Sequence, residues 1–354
     1  VILKRNISIF YVQIDEVFML ASRIAGIGGF VPPRCVRNKE LEQMLDTTDE
    51  WIQQRTGIQT RHWVAPEVST SDLAIEAAKR AIADANINLS EIDLIVMATS
   101  TPDHDVPGAG CFFQAKLGLP GVPYFEIKQA CSGFVYGLSL ADQFIKTGHK
   151  KCVLLIGVEL QSKLLDLTPR GRAVSVIFAD GAGAAVIKAT EVTDKDKDSY
   201  IMSTALHADG NFAKELWVPA PGTAIGPHKF MPGMVEEGLI YLHMNARYVF
   251  SHAVTKMPEV MKEACDAAEK KLDDIDLFFF HQANMRINEK VAADLNLSAE
   301  KVHNTIQKFG NTTAATIPLG MWDALQEGKL KRGQLLGLSA FGAGFTWAAA
   351  VLRY

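Results

Sequence analysis

Apolar residues along this chain gather in short unbroken runs, separated by longer stretches of helical spacing rich in Ala, Lys and Glu. Runs that are apolar at every position predict strands covered on both faces. Their alternation with helices predicts largely parallel sheets flanked by helices, an α/β fold. The runs also repeat. "NLSEIDLIVMATS" (88–100) reads like "KLDDIDLFFFHQA" (271–283), "CVLLIGVE" (152–159) like "QLLGLSAF" (334–341), and "FADGAGAAVIKA" (178–189) like "AFGAGFTWAAAVLRY" (340–354). The same order in both copies is what an internal duplication requires. The first two pairs lie about 180 residues apart and the third pair less, which places an insertion around 160–178. The expected halves are 20–192 and 200–354, joined through the alternating charges of "TDKDKDS" (193–199), a solvated loop.

The opening "VILKRNISIFYVQIDEVFML" is basic and then apolar, but Asp15 and Glu16 interrupt the apolar stretch. Residues 1–19 therefore read as an N-terminal extension of uncertain role rather than a signal peptide, with "ASRIAGIGGFVPP" (21–33) as the first strand and turn. No apolar run has the length of a membrane span. At 354 residues and 48% hydrophobic, the chain can bury one large core or two packed ones. Its net charge of -4 gives no footprint for nucleic acid. Five scattered cysteines (Cys35, Cys111, Cys131, Cys152, Cys265) form no C-x-x-C pair, and the histidines no H-x-x-x-H pair. No metal site is expected, and free thiols suit a reducing cytoplasm.

One cysteine changes the picture. In "FEIKQACSGFVYGLSLADQFIKTG" (125–148), Cys131 stands where a strand-like run gives way to an amphipathic helix. At a helix mouth the unpaired N–H groups and the dipole favour a thiolate. By composition alone a buried structural cysteine is the plainer reading. The duplication, however, pairs this region with "IQKFGNTTAATIPLGMWDALQEG" (306–328) and so pairs Cys131 with Asn311, while His281 ends the buried run "DLFFF". The carboxyl ends of strands are where open α/β sheets place ligands. Cys, His and Asn together serve either a cysteine protease or an acyl-transferring condensing enzyme. The duplicated α/β pattern and the absence of C-G-[SA]-C-[WY] around Cys131 favour the second.

Seven stretches in order carry a specific resemblance: "DTTDEWIQQRTGIQTRH" (46–62), "ACSGFVYGL" (130–138), "FADGAGAAV" (178–186), "HADGN" (207–211), "HQANMRI" (281–287), "FGNTTAATIP" (309–318) and "AFGAGFTW" (340–347). From about residue 22 to 354 the chain resembles the β-ketoacyl-[acyl carrier protein] synthase III family of thiolase-superfamily condensing enzymes. The resemblance implies a duplicated thiolase-like fold in five α-β-α-β-α layers. It also implies a cytoplasmic homodimer that uses acyl-CoA and malonyl-[acyl carrier protein] as substrates, without a cofactor, a membrane or nucleic acid. By the same resemblance Cys131 is the acylated nucleophile, and His281 and Asn311 act in decarboxylation and condensation. Phe341 is an aromatic gate. Ala343, where the family commonly has Gly, shares an oxyanion hole with the Cys131 N–H. Trp51, Arg55 and Arg170 match contacts to the coenzyme A nucleotide, Asn284 a contact to its pantetheine arm, and Arg286 a basic contact for the carrier protein. Ser251, Ala293 and Asp294 stand where the family often has Lys, although Arg247, Lys256 and Lys290 lie nearby.

The acyl pocket is where the sequence departs most. In "TPDHDVPGAGC" (101–111), Val106 replaces a bulkier Phe of acetyl-selective members, at a loop tip that crosses the dimer interface in the family. A smaller side chain leaves room for further methylenes, each worth about 0.8 kcal/mol when buried. The segment 215–244 is longer than in minimal members and resembles relatives from secondary metabolism. The expected function is initiation of fatty acid synthesis by decarboxylating Claisen condensation through a cysteine thioester. Two alternatives stay open: a secondary-metabolism condensing or acyl-transfer enzyme with another nucleophile, and a catalytically idle binding subunit of the same fold.

Overall fold

A computed structural model describes residues 19–354, so the extension expected at the N-terminus lies almost wholly outside the described residues. Five strands form the first sheet: β1 (Met19–Phe30), β2 (Leu94–Ala98), β3 (Tyr124–Ile127), β4 (Cys152–Leu160) and β5 (Asp180–Val192), in the spatial order β1-β5-β4-β2-β3. The second sheet holds β6 (Ile201–Ala208), β7 (Leu277–Phe280), β8 (Leu335–Gly342) and β9 (Thr346–Arg353), in the order β7-β8-β9-β6. Read from the other edge this is β6-β9-β8-β7, which repeats the order of the first sheet strand for strand. The counterpart of β3 is reduced to a single parallel bridge between Phe278 and Val302.

Both sheets are mixed, which corrects the expectation of largely parallel ones. β2 pairs in parallel with β3 and β4, and β7 with β8, while β5 runs antiparallel to β1 and β4, and β9 to β8 and β6. An all-apolar run reports that both faces of a strand are covered; it carries no information about strand direction. Here the cover comes from layering. Helices α3 (Gly133–Lys146) and α6 (Thr316–Gln326) lie between the sheets, α1 (Thr70–Ala85) and α2 (Gly110–Leu117) cover the far face of the first, and α4 (Ala246–Ala267) and α5 (Met285–Asp294) that of the second.

The phenylalanines of β7 show how alternation places the layers. Phe279 enters the core between the sheets with Ile317 and Met321, and Phe278 and Phe280 enter the core under α4. Each fully buried ring contributes roughly 1.5–3 kcal/mol. On β1, Gly26 and Gly28 let α1 lie directly on the strand: a Cβ on Gly28 would stand 2.2 Å from the Ala77 carbonyl oxygen. The start of α1 is set by Ser69 and Asp72, whose side chains and N–H groups cap one another.

Candidate active site

Two short turns at the ends of the central helices build the site. Residues 130–132 form a 3-10 turn that runs into α3, and residues 313–315 one that runs into α6. Each turn opens on a left-handed residue, Ala130 (φ 43°) and Thr313 (φ 52°). That register makes Ala314, not Asn311, the counterpart of Cys131. The sequence pairing of Cys131 with Asn311 is corrected because the left-handed residue, rather than the polar side chain, sets the phase of the turn. Asn311 precedes the turn and is held by its backbone: its N–H donates to the Ile177 carbonyl (3.0 Å), and its C=O accepts from Ala179 (2.9 Å).

Cys131 nevertheless meets the other two. Cys131, His281 and Asn311 line one cavity of about 480 Å³ with Phe341 and Gly342, and all three side chains are buried. Gly342, at the end of β8, is required by the approach: a Cβ there would stand 2.7 Å from that of Cys131. The thiol does not have the lowered pKa expected of a helix mouth. Burial pushes it up to about 12, the nearby Glu159 carboxylate adds to the rise, and the N–H groups of Cys131 and Ala343 oppose both. Withdrawal from water thus outweighs dipole and hydrogen bonds, leaving a neutral thiol at rest. Glu159 is itself held up at about 8 by burial, against donation from the Ser100 N–H (3.0 Å) and the Thr101 hydroxyl (3.0 Å).

The His281 backbone N–H, just past β7, donates to the Ser339 carbonyl (2.8 Å). Burial lowers its imidazole pKa to about 3, so the ring is neutral at ordinary pH. Its Nδ1 lies 2.7 Å from Thr316 Oγ1, while Nε2 is buried without a partner among the described residues. The Thr313 N–H donates to Asn311 Oδ1 (2.8 Å), which leaves the Nδ2 amide as the group Asn311 can offer as donor. Ala343 is not among the residues with positive φ; Gly344 takes that conformation (φ 134°), so the Ala costs no backbone strain.

The cavity mouth carries Trp51, Arg55, Asn284, Arg286 and Arg247. The Arg55 guanidinium stands 5.8 Å from the Trp51 ring centroid, and Arg172 lies closer, at 4.4 Å. Arg172 was not anticipated; the only sign of it was the second basic residue in "PRGR". Asn284 caps α5 by accepting from the Arg286 N–H (2.9 Å) and donates to the Arg55 carbonyl (2.9 Å), joining the two sides of the mouth. Arg170 is not brought to this group. Its guanidinium bonds Asp166 (2.6 Å) and the Glu236 carbonyl (2.9 Å) and lies over Tyr241, in a separate cleft. Lys256 pairs with Glu259 and Lys290 with Asp294, whereas Arg247 and Arg286 are in no ion pair among the described residues.

On the other side of Cys131 a second cavity of about 660 Å³ reaches Leu160, Phe178, Trp217, Ile240 and Leu242, with Ala343 at its base. The segment 215–244 thus supplies much of an apolar wall, and Lys229 ties it to Asp105 on the loop that carries Val106. Val106 lines neither cavity within the chain; it is 84% exposed. A group of possible metal ligands, His303, Asp323 and Glu327, already holds the Lys308 ammonium, which bonds both carboxylates. No helix among the described residues is long and apolar enough to cross a membrane.

Known proteins match the chain both in sequence and in fold. Residues 125–210 match the family model described as 3-oxoacyl-[acyl-carrier-protein (ACP)] synthase III, and residues 265–354 the model of its C-terminal part. The chain is 44% identical over 333 residues to the β-ketoacyl-[acyl-carrier-protein] synthase III of Xanthomonas campestris pv. campestris, covering 94% of this chain and 98% of that protein. It is 43% identical over 336 residues to that of Rhodospirillum rubrum, covering 95% and 100%. Among solved structures, the 3-oxoacyl-[acyl-carrier-protein] synthase III of Aquifex aeolicus superposes with a TM-score of 0.84 at 40% identity, over 94% of this chain and 100% of that one. With a thiolase-like duplicated fold and near-full-length relatives, the chain belongs to the β-ketoacyl-[acyl carrier protein] synthase III family.

Proposed function

We propose that the protein condenses an acyl-CoA starter with malonyl-[acyl carrier protein], with loss of carbon dioxide, and so begins fatty acid synthesis. The observation that carries this is the meeting of one thiol, one neutral imidazole with a bare buried Nε2, and one amide Nδ2 in a single cavity. In the first half-reaction Cys131 Sγ bonds to the thioester carbonyl carbon, the bond to the CoA sulfur breaks, and the thiol proton leaves with that sulfur. Oxyanion charge falls on the N–H groups of Cys131 and Ala343. In the second, the malonyl C–C bond breaks and the electron pair forms an enolate, whose oxygen takes hydrogen bonds from His281 and Asn311. The enolate carbon then bonds to the acyl carbonyl, Sγ leaves, and one proton is taken up to restore the thiol. No cofactor enters this sequence.

Apolar Phe341 beside the thiol favours loss of a charged carboxylate. Trp51, Arg55 and Arg172 suit a nucleotide, since indole and guanidinium both stack on a base and the charge serves phosphate. Asn284 is assigned to the pantetheine arm, and Arg247 and Arg286 to the acidic carrier protein. Arg170, tied to Asp166, is left to position the segment 215–244. The exposed tip at Val106 supports a homodimer in which this loop closes the partner's acyl cavity. The free thiols suit a cytoplasmic setting. The test is mass spectrometry of Cys131 after exposure to C2 to C12 acyl-CoAs, followed by assay of β-ketoacyl product with malonyl-[acyl carrier protein]. Acylation without product would favour another acceptor, and no acylation would remove the assignment.

A further inference from the structure

His281 offers a single side-chain atom to the cavity, and whether that atom donates or accepts depends on where the ring carries its proton. Its other nitrogen faces one partner, the Thr316 hydroxyl, at 2.7 Å. That hydroxyl has one proton and two possible acceptors, His281 Nδ1 and the Thr313 carbonyl at 3.1 Å. Three observations decide between them. A separation of 2.7 Å is short for an N–H donor and ordinary for an O–H donor, whereas 3.1 Å is beyond the usual reach of an O–H donor to oxygen. The Thr313 carbonyl already accepts from the Thr316 backbone N–H, so it loses little if the hydroxyl turns away. Thr316 is itself buried and held in the first turn of α6, so no water competes for its hydroxyl.

We infer that Thr316 is a positioning residue which donates its hydroxyl proton to His281 Nδ1 and thereby makes Nε2–H a hydrogen-bond donor aimed into the cavity. The same turn does for Asn311 what it does for His281. Left-handed Thr313 gives its N–H to Asn311 Oδ1 and so presents Nδ2, while Gln161 Nε2 pins the Thr313 hydroxyl from the first half (3.1 Å). One turn, 311–316, therefore presents two donors side by side to an oxygen that gains negative charge. Among the described residues Nε2–H has no protein partner, so its hydrogen bond is completed by substrate. In this tautomer Nε2 has no lone pair for the thiol proton of Cys131. The inference rests on the proposed condensation: His281 serves the second half-reaction and is not the base of the first.

The experiment uses the full-length protein with 15N-labelled histidine, the His281 signals being assigned by difference against His281→Gln. The expected spectrum shows Nε2 protonated and Nδ1 bare. In Thr316→Val, which keeps the shape and removes the hydroxyl, the protonated and bare signals of His281 should mix or exchange. That variant should lose about 10- to 100-fold in kcat for malonyl decarboxylation and condensation, with KM within about twofold and Cys131 acylation within about threefold. Thr316→Ser should restore both spectrum and kcat. A wild-type spectrum with the proton on Nδ1 would overturn the inference, and so would full condensation by Thr316→Val or a Thr316→Ser variant as impaired as Val. Should Thr316→Val fail to fold, the wild-type spectrum and the Ser variant still decide. A wild-type enzyme that shows the expected tautomer yet makes no β-ketoacyl product would refute the proposed reaction and leave the tautomer assignment standing.

Discussion

The two helix mouths share a backbone and differ in what it presents. At 130–133 the turn places a thiol at its centre, with Gly342 pressed against it; at 313–316 the same position is Ala314, and the polar groups stand around it on Asn311, Thr313 and Thr316. On the proposed reaction, a duplicated fold has kept one geometry and divided the chemistry: the first copy would carry the covalent bond and the second the groups that meet developing charge. Small residues at the centre of the second turn allow this. Ala314 and its neighbours lie against Gly133 and Gly157, so the two turns pack closely enough for groups on one to reach substrate bound to the other.

The sharpest way to break the comparison is to remove the thiol. Cys131→Ser should abolish acyl-enzyme formation, about 1,000-fold or more, because a hydroxyl without a base is a far weaker nucleophile. Quenched-flow acylation with labelled acyl-CoA measures it, and a wild-type rate would move the nucleophile elsewhere. On the other side, His281→Ala or Asn311→Ala should cost about 100- to 1,000-fold in condensation, the usual loss for one oxyanion donor, and much less in acylation. Equal loss in both half-reactions would erase the division between the mouths. A smaller effect is expected at Val106. Val106→Phe should reduce kcat/KM for medium-chain acyl-CoAs by roughly 10- to 200-fold while leaving acetyl transfer nearly intact. An unchanged chain-length profile in a dimer verified by sedimentation would show that Val106 does not bound the partner's cavity.

The sequence made the repeat legible because "IDLIVMA" and "IDLFFFH" are strands with both faces covered, and such runs recur in the same order along both halves. It could not show strand direction, since Thr346–Arg353 reads the same whether it returns as a hairpin partner or as a parallel crossover. The three candidate side chains stood out through their chemistry at strand and helix ends, and the structure brings them into one cavity. Their register was not, because the deciding feature, a left-handed Ala130 and a left-handed Thr313, belongs to residue types with no tendency toward that conformation. Thr316 and Arg172 went unnoticed for a related reason. A threonine in a run of small residues and a second arginine in a loop acquire meaning only from what lies 2.7 Å and 4.4 Å away. The raised thiol pKa is likewise a property of depth, which a helix-mouth argument leaves out.

The smallest expected effect tests that depth directly. Burial raises Glu159 from 4.5 to about 8, so in the folded protein it is mostly neutral at pH 7 and gains its charge as pH rises through 8. Only then does it oppose ionisation of Cys131. Alkylation of Cys131 by iodoacetamide should therefore climb less steeply with pH in the wild type above pH 8 than in Glu159→Gln, whose amide oxygen can still accept from the Ser100 N–H. The two rates should agree near pH 6.5, and the variant should be about three- to tenfold faster at pH 9. Stability gives an independent reading of the same group. Its unfolded form releases the proton near 4.5 and its folded form near 8, so the wild-type contribution is whole below 4.5 and is lost as pH rises to 8. Across that window the melting temperature of Glu159→Gln should rise relative to wild type. Parallel pH profiles in both measurements would mean that Glu159 is ionised throughout. The part of the raised Cys131 pKa that Glu159 adds to burial would then come from a charge already in place, rather than from one that appears with pH.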